Sequence, residues 1–225
     1  MVKENKKNNE AREIKIKFTH YLWALVKEPY VFVAVLFLII LILAAIFADL
    51  ILSYDPLRPN ILAARLTPFS ESKGMGGVTN FHWLGTDALG RDMLTRLIFG
   101  ARVSVSVGVI AVTIAGTIGT ILGLIAGYYG RMTESIIMRT VDGFMAIPSL
   151  FIALFVLFVL GGGLLNMILI LAFVRWVVFT RLVRGITISL KETSYIEAAR
   201  AIGASDSRII FKHILPHLIS PLLVL

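Results

Sequence analysis

A chain of 225 residues that is 57% hydrophobic and 16% charged has few side chains able to do chemistry, and most of them lie between apolar runs. Arg175 is the exception, inside the run Leu164 to Thr180, while Asp49 and Asp142 fall near run ends. A charge held within a bilayer is costly and often marks a pathway. It can also snorkel, with its stem in lipid and its head at the interface. Both readings stand for Arg175. Asp142, in the first turn of the run Thr140 to Leu160, reads as a helix cap or the partner of a nearby arginine. His20, His82, His213 and His217 are scattered. His213 and His217, four apart, read as amphipathic residues at a helix start, and no metal site is assigned. The sequence has no G-x-x-x-x-G-K-[ST] string and no Gly-Lys pair, hence no P-loop for ATP. HExxH, EF-hand and G-x-S-x-G patterns do not occur either. Zero cysteines exclude disulfides, thiolate metal sites and a cysteine nucleophile. Nothing here points to catalysis.

What remains is a surface built for docking. Lys191 to Pro216, KETSYIEAARAIGASDSRIIFKHILP, is a polar stretch between apolar runs. Ser194 and Glu197 fit the S-x-x-E capping box. Tyr195 to Ile202 follow as good helix formers, about two turns or roughly 12 Å. Gly203 sits where a helix end takes a positive φ. Ser205 or Asp206 can open a second helix, and Pro216 suits the first turn of the next span. One face of the short helix carries Tyr195, Ala198, Ala199 and Ile202. Its two adjacent alanines make a shallow surface that another protein can approach closely. Lys191, Arg200, Arg208 and Lys212 flank it.

The elements that must position this stretch are membrane spans. Mean hydropathy is +0.85, more apolar than a soluble domain of this length. The net charge of +8 does not read as a nucleic-acid surface, because the basic residues sort by loop rather than onto one face. Residues 1–30 read as a cytoplasmic tail followed by an interfacial segment, with Tyr21, Trp23 and Tyr30 at headgroup level. Residues 31–52 are long enough to span. They are too long and begin too late for a signal peptide, and no A-x-A site follows.

Residues 53–101 form an extracytoplasmic loop, punctuated by Pro56, Pro59, Pro68, Gly74 and Gly76. In its second half Thr86 or Asp87 can cap an amphipathic helix running to Phe99. Asp92 and Arg96 are spaced to pair, and Gly100 is placed to end that helix. Residues 102–225 form the core, with spans at 103–129, 140–160 and 164–180, a polar loop at 181–217 and the start of a further span at 218–225. Ala111, Ala115, Gly119, Gly123 and Gly127 recur every four residues and make a ridge for close helix packing. Gly130 to Arg139 reads as a short loop, Pro148 as a kink or break, and Gly161 to Gly163 as a tight turn. The last eight residues cover only about 12 Å of a core about 30 Å thick, so the sequence looks cut short.

With the N-terminus inside, fifteen Lys and Arg fall in inner segments and six in the outer one, with Arg175 between them. That satisfies the positive-inside rule and puts 181–217 in the cytoplasm. The fold class is an all-α polytopic membrane protein with four complete spans and the start of a fifth.

Two strings carry a family resemblance. Glu197, Ala198, Ala199, Gly203, Leu215 and Pro216 fall in register with the E-A-A, three residues, Gly, nine residues, I-x-L-P coupling loop of ABC-importer permeases. His213 stands at the Ile position. The string FHWLGTDALGRD…GARVS, with Trp83, Asp87, Arg91 and Asp92, resembles the signature of the oligopeptide, dipeptide and nickel branch. The resemblance implies a type I importer transmembrane domain, usually of six spans, in which 181–217 is the coupling loop. It makes Tyr195, Glu197, Ala198, Ala199, Arg200, Gly203, Leu215 and Pro216 the ATPase-facing residues. Trp83, Asp87, Arg91 and Asp92 become a collar at the outer mouth or a contact for a binding protein, unless their helix simply lies on the outer leaflet. The implied partners are a second permease, two ATP-binding subunits that carry ATP and magnesium, an extracytoplasmic substrate-binding protein and membrane lipid. This chain itself would hold no cofactor. Rival readings are a secondary transporter or channel, and a non-transporting scaffold. The first lacks an acidic ion site deep in a span, and the second leaves the capped insert unexplained. Peptides and chelated nickel fit the pattern equally well, and no residue reads out either one.

Overall fold

A computed structural model describes residues 28–51, 55–73 and 79–225. The expected tail and interfacial residues 1–27, with Tyr21 and Trp23, lie outside the described residues, as do Gly74 and Gly76. The chain divides into two compact units, Met1–Val105 and Ser106–Leu225.

In the first unit, α1 (Pro29–Ile46) opens with a proline in its first turn, where the missing N–H costs no hydrogen bond. Its eighteen residues give about 27 Å of helix. Val33, Phe37, Ile40 and Ile46 are exposed, as suits a helix with lipid around it. The expected single run to Leu52 is corrected here. The helix ends at Ile46, and Phe47 leaves helical geometry while its N–H still reaches Leu43 O. A short α2 (Ala48–Ile51) follows. Asp49 on that turn forms a two-oxygen contact with Arg102 at 2.8–2.9 Å.

The described part of the following segment carries a 3₁₀ turn, Ile61–Ala63, and an antiparallel pair, β1 (Ser70–Lys73) and β2 (Thr79–His82), in register Ser70 with His82 and Lys73 with Thr79. The amphipathic helix expected from Thr86 or Asp87 is absent. Residues 83–92 instead form turns closed by a bridge between Thr86 and Asp92. Gly90 is needed there, since a Cβ would stand 1.7 Å from Asn60 O. The helix starts later, at α3 (Met93–Tyr129), with Asp92 as its cap: Thr95 N–H donates to Asp92 Oδ2 at 2.8 Å and Arg96 N–H to Asp92 O. Gly100 does not end it. A glycine inside a helix costs only about 1 kcal/mol, less than abandoning about eight further turns.

In the second unit α3 packs on α6 (Leu164–Lys191), and the ridge is the reason. A Cβ on Gly119 would stand 2.4 Å from Phe179 Cβ, on Gly123 2.6 Å from Val183 Cβ, and on Gly127 2.7 Å from Thr187 Cβ. Both helices thus present contacts every four residues, and the small positions let the backbones close together. Ala111 and Ala115 are buried, Ala115 against a cluster of Val141, Ala172, Trp176, Val177 and Phe179.

The expected loop Gly130 to Arg139 is helical. α4 (Arg131–Ala146) lays Ile137, Met138, Val141 and Phe144 against that cluster at helical spacing. Asp142 therefore sits in the later part of α4 rather than in a first turn, and it pairs with Arg181. α4 ends at Ile147, which is extended at φ −95°, ψ 124°, because a residue before proline is pushed out of the helical region. Beyond Pro148, α5 (Ser149–Leu160) leaves at 85° to α4. The predicted break is present, and the expected straight span 140–160 becomes two helices. α1, α3 and α6 are long and apolar enough to cross a membrane by themselves; α4 with α5 makes a fourth crossing if the bent pair counts as one. After α6 come α7 (Ser194–Ala201), a three-residue α8 (Asp206–Arg208), a π-helical segment Ile209–Ile214, and α9 (Leu215–Val224).

Candidate coupling site

α7 is too short to be stable alone, so its position rests on its caps and one anchor. The expected capping box does not form. Thr193, not Ser194, is the N-cap residue, and its hydroxyl turns back to Leu190 O. Glu197 is left exposed in the first turn, with no side-chain partner among the described residues. The C-terminus matches expectation closely. Gly203 has φ +85°. Its N–H reaches Arg200 O at 3.0 Å, and Ala204 N–H reaches Ala199 O at 3.1 Å, the paired bonds of a Schellman motif.

The anchor is Ile196, 1% exposed, in a core with Leu124, Tyr128, Val183, Ile209, Ile214 and Leu218. Sequence reading passed over Ile196 because Tyr195 beside it dominated the expected face. The structure also divides that face. Tyr195, Ala198 and Ile202 point outward, whereas Ala199 is buried. An open groove of about 290 Å³ runs along Tyr195, Ala198, Ala199, Ile202, Arg208 and His213. The small side chains of Ala198, Ala199 and Ala204 leave it open.

Two contacts tie α7 to the rest of the unit, and a third braces the elements beside it. Tyr195 Oη and His213 Nδ1 share a hydrogen bond, their rings edge to face at 5.2 Å. The Arg200 guanidinium lies 5.9 Å from the Tyr128 ring centre. Tyr128 Oη donates to Asp206 Oδ1 at 2.6 Å, linking the end of α3 to the start of α8. Separations of 18 and 78 residues leave no local signal for the two hydrogen bonds.

Ser205 caps α8 as expected, accepting from Arg208 N–H. Pro216 lies in the first turn of α9, as expected, but α9 follows the preceding turns without a break. Backbone angles stay helical from Arg208 through Leu215, and the π-helical turns lie just before Pro216, whose missing N–H forbids a regular bond to the carbonyl four residues back. Leu215 packs on the anchor core, while Pro216 is exposed.

The first unit holds the other residues singled out by sequence. Asp92 and Arg96 do not pair. Asp92 instead bonds His82 Nδ1 at 2.8 Å and the Thr95 hydroxyl at 2.7 Å, and His82 Nε2 lies 2.9 Å from Ser72 Oγ. Arg96 turns to Asp87, which also accepts from Arg91 and from the N–H groups of Leu89 and Arg91. Trp83 stands edge to face with Phe69 and Phe81.

Burial pushes the Asp87 carboxyl up, but the bonds from Arg91 and Leu89 and the Arg91 charge outweigh it and hold it at about 2, below the ordinary 3.8. A lowered folded pKa contributes stability above 3.8 that is lost as pH falls toward 2. In a variant whose other tryptophans are phenylalanine, Trp83 fluorescence is expected to hold steady down to about pH 4 and change below it. Asp87→Asn should remove that acid step; an unchanged acid profile would show that this turn does not depend on the carboxylate.

Comparison with known proteins agrees with this architecture. A family model described as binding-protein-dependent transport system inner membrane component matches residues 119–225, from the glycine ridge through α9. The dipeptide transport system permease protein DppC of Alkalihalophilus pseudofirmus is 42% identical over 198 residues, 88% of this chain and 62% of its own length. The glutathione transport system permease protein GsiD of Pectobacterium atrosepticum is 39% identical, over 84% of this chain and 60% of that protein. The oligopeptide transport system permease protein OppC of Bacillus subtilis is 37% identical, over 85% and 60%. The chain spans about three-fifths of the length of these relatives. Residues 119–225 thus carry the domain described as binding-protein-dependent transport system inner membrane component.

Proposed function

We propose that this chain is a permease subunit of an ATP-driven importer of peptides, and that α7 is where it takes up the motion of an ATPase. The observation that carries this is α7 itself: a short helix fixed by one buried isoleucine and a Schellman cap, with an exposed groove and a Glu197 that has no side-chain partner among the described residues. The names of the three relatives, all peptide or glutathione permeases, support the substrate class. The distribution of Lys and Arg puts α7 on the cytoplasmic side.

In this reading a second, similar permease pairs with the chain. Two ATP-binding subunits dock below and hold ATP and magnesium, and an extracytoplasmic binding protein delivers substrate from the other side. ATP shifts the ATPase pair toward its closed state because it binds that state more tightly. The permease supplies no hydrolysis. It passes the movement from α7 through Ile196, Tyr128 and Asp206 to α3, α6 and α9.

The test is purification of the tagged full-length chain with its co-purifying subunits, then ATP-dependent uptake in vesicles of dipeptides, oligopeptides, glutathione and nickel chelates. The expected result is an associated ATPase and ATP-dependent accumulation of at least one peptide class. A preparation that transports without any ATPase would identify a secondary transporter and overturn the proposal.

A further inference from the structure

α5 and α6 pack on each other and are joined by the turn Gly161–Gly163. Twelve residues of each helix, 149–160 and 164–175, reach from that turn to Ser149 and Arg175. Both residues therefore lie about 18 Å from it, well inside a core about 30 Å thick. They share a cleft of about 440 Å³, lined also by Phe144, Met145, Pro148 and Phe173. That volume falls within the roughly 300–1,000 Å³ of small-molecule sites. The cleft lies at the Pro148 break, where α4 and α5 meet at 85°.

Arg175 is the charge in this cleft, and it differs from its neighbours on the same helix. Arg181 is paired with Asp142 and Arg184 with Glu134. Arg175 has neither an ion pair nor a hydrogen bond among the described residues. A guanidinium does not lose its charge in proteins, so in an apolar cleft at this depth it calls for an anion. Its planar fork fits a carboxylate with two parallel hydrogen bonds. The relatives' printed substrates, dipeptides, glutathione and oligopeptides, differ in length and side chains, but all end in a free carboxylate. An apolar wall that tolerates varied side chains beside one fixed cation is the arrangement such a group of substrates requires.

We propose that Arg175, in the cleft at the Pro148 break, is a binding site for the carboxylate of a peptide in transit, an inference that rests on the peptide-importer reading above. The test uses the full permease–ATPase assembly in lipid nanodiscs, without the binding protein, so that selectivity belongs to the membrane subunits. Equilibrium binding of radiolabelled alanyl-phenylalanine is compared with that of its C-terminal amide. The wild-type assembly should bind the acid at least tenfold tighter. Arg175→Gln should reduce acid binding to the level of the amide, which stays unchanged. Arg175→Lys should keep part of the preference, and it serves as the test should Arg175→Gln fail to assemble.

Equal binding of acid and amide by the wild type overturns the proposal. So does a preference that survives Arg175→Gln, or an Arg175→Gln defect confined to subunit association, which would give Arg175 an acidic partner on another subunit. ATP-driven uptake of the same dipeptide, measured with the binding protein present, separates the two levels. Uptake without carboxylate discrimination at the permease sinks this site alone; no peptide uptake at all sinks the importer reading with it.

Discussion

Gly203→Val is expected to leave membrane insertion intact and to cut ATP-driven uptake at least tenfold. The backbone at 203 stands at φ +85°, and both bonds of the cap depend on it. An L-residue in that region costs about 1–2 kcal/mol, and a branched Cβ is tolerated worst. The cost is conformational only, because a Cβ there meets no atom within 4 Å. Roughly 1.4 kcal/mol is a tenfold loss of correctly capped α7, a helix with little stability of its own. Gly203→Asn is the matched control, since asparagine tolerates the left-handed region; it should retain most activity. Ala198→Trp tests the groove without touching the cap. Ala198 is exposed, so the indole should keep α7 folded but hold an ATPase away. Ala199→Trp would not test this, because Ala199 is buried and the indole would collide with the chain's own core. The measurements are uptake and ATPase co-purification for Gly203→Val, Gly203→Asn and Ala198→Trp. If Gly203→Val and Ala198→Trp both transport normally with ATPases bound, α7 is not the coupling element.

The contrast between Ala198 and Ala199 shows what the sequence reveals and what it withholds. Gly203, Ser205 and the glycine ridge were legible because each obeys a local rule: a left-handed terminus, an N-cap oxygen, a four-residue repeat. The division of α7 into inner and outer faces was not, because eight residues containing both Tyr195 and Ile196 fit two neighbouring faces equally well. Tertiary packing chose Ile196 for the core. The Pro148 break followed from the pyrrolidine ring, but the charged cleft beside it, facing α6, depends on which residues stand opposite. The second half of the long polar segment was misread for the same reason. Thr86 and Asp87 each offer a cap oxygen ahead of the amphipathic stretch that runs to Phe99. Asp92 captures the helix start instead, because its carboxylate is held by His82 and Thr95. Arg96 then goes to Asp87 rather than to the acid four residues earlier.

The second large effect is expected at Gly123. In a membrane, helices gain little from hiding apolar surface from one another, so close backbone approach and van der Waals contact carry the association. Gly123 sits at the middle of that approach. A Cβ there would stand 2.6 Å from Val183 Cβ and 2.7 Å from Thr180 O, distances that no rotamer change can relieve. Inserting extra methylenes into packed interiors typically costs about 1–3 kcal/mol, occasionally more. Here a backbone carbonyl is one of the obstacles, so α3 and α6 must separate. Gly123→Leu should therefore lose most of its folded yield, and Gly123→Ala should lower the melting temperature of the purified protein. Adding Val183→Gly to Gly123→Ala removes one of the two obstacles and should recover part of the loss. Gly108→Leu lies on the same helix, where a Cβ meets nothing within 4 Å, and should melt like the wild type. Because Val183 also belongs to the core that anchors Ile196, separating the helices should loosen α7 as well. Gly123→Ala should then show weaker ATPase association than its loss of yield alone accounts for. Wild-type melting and yield in Gly123→Leu would mean that α3 and α6 do not meet along this ridge.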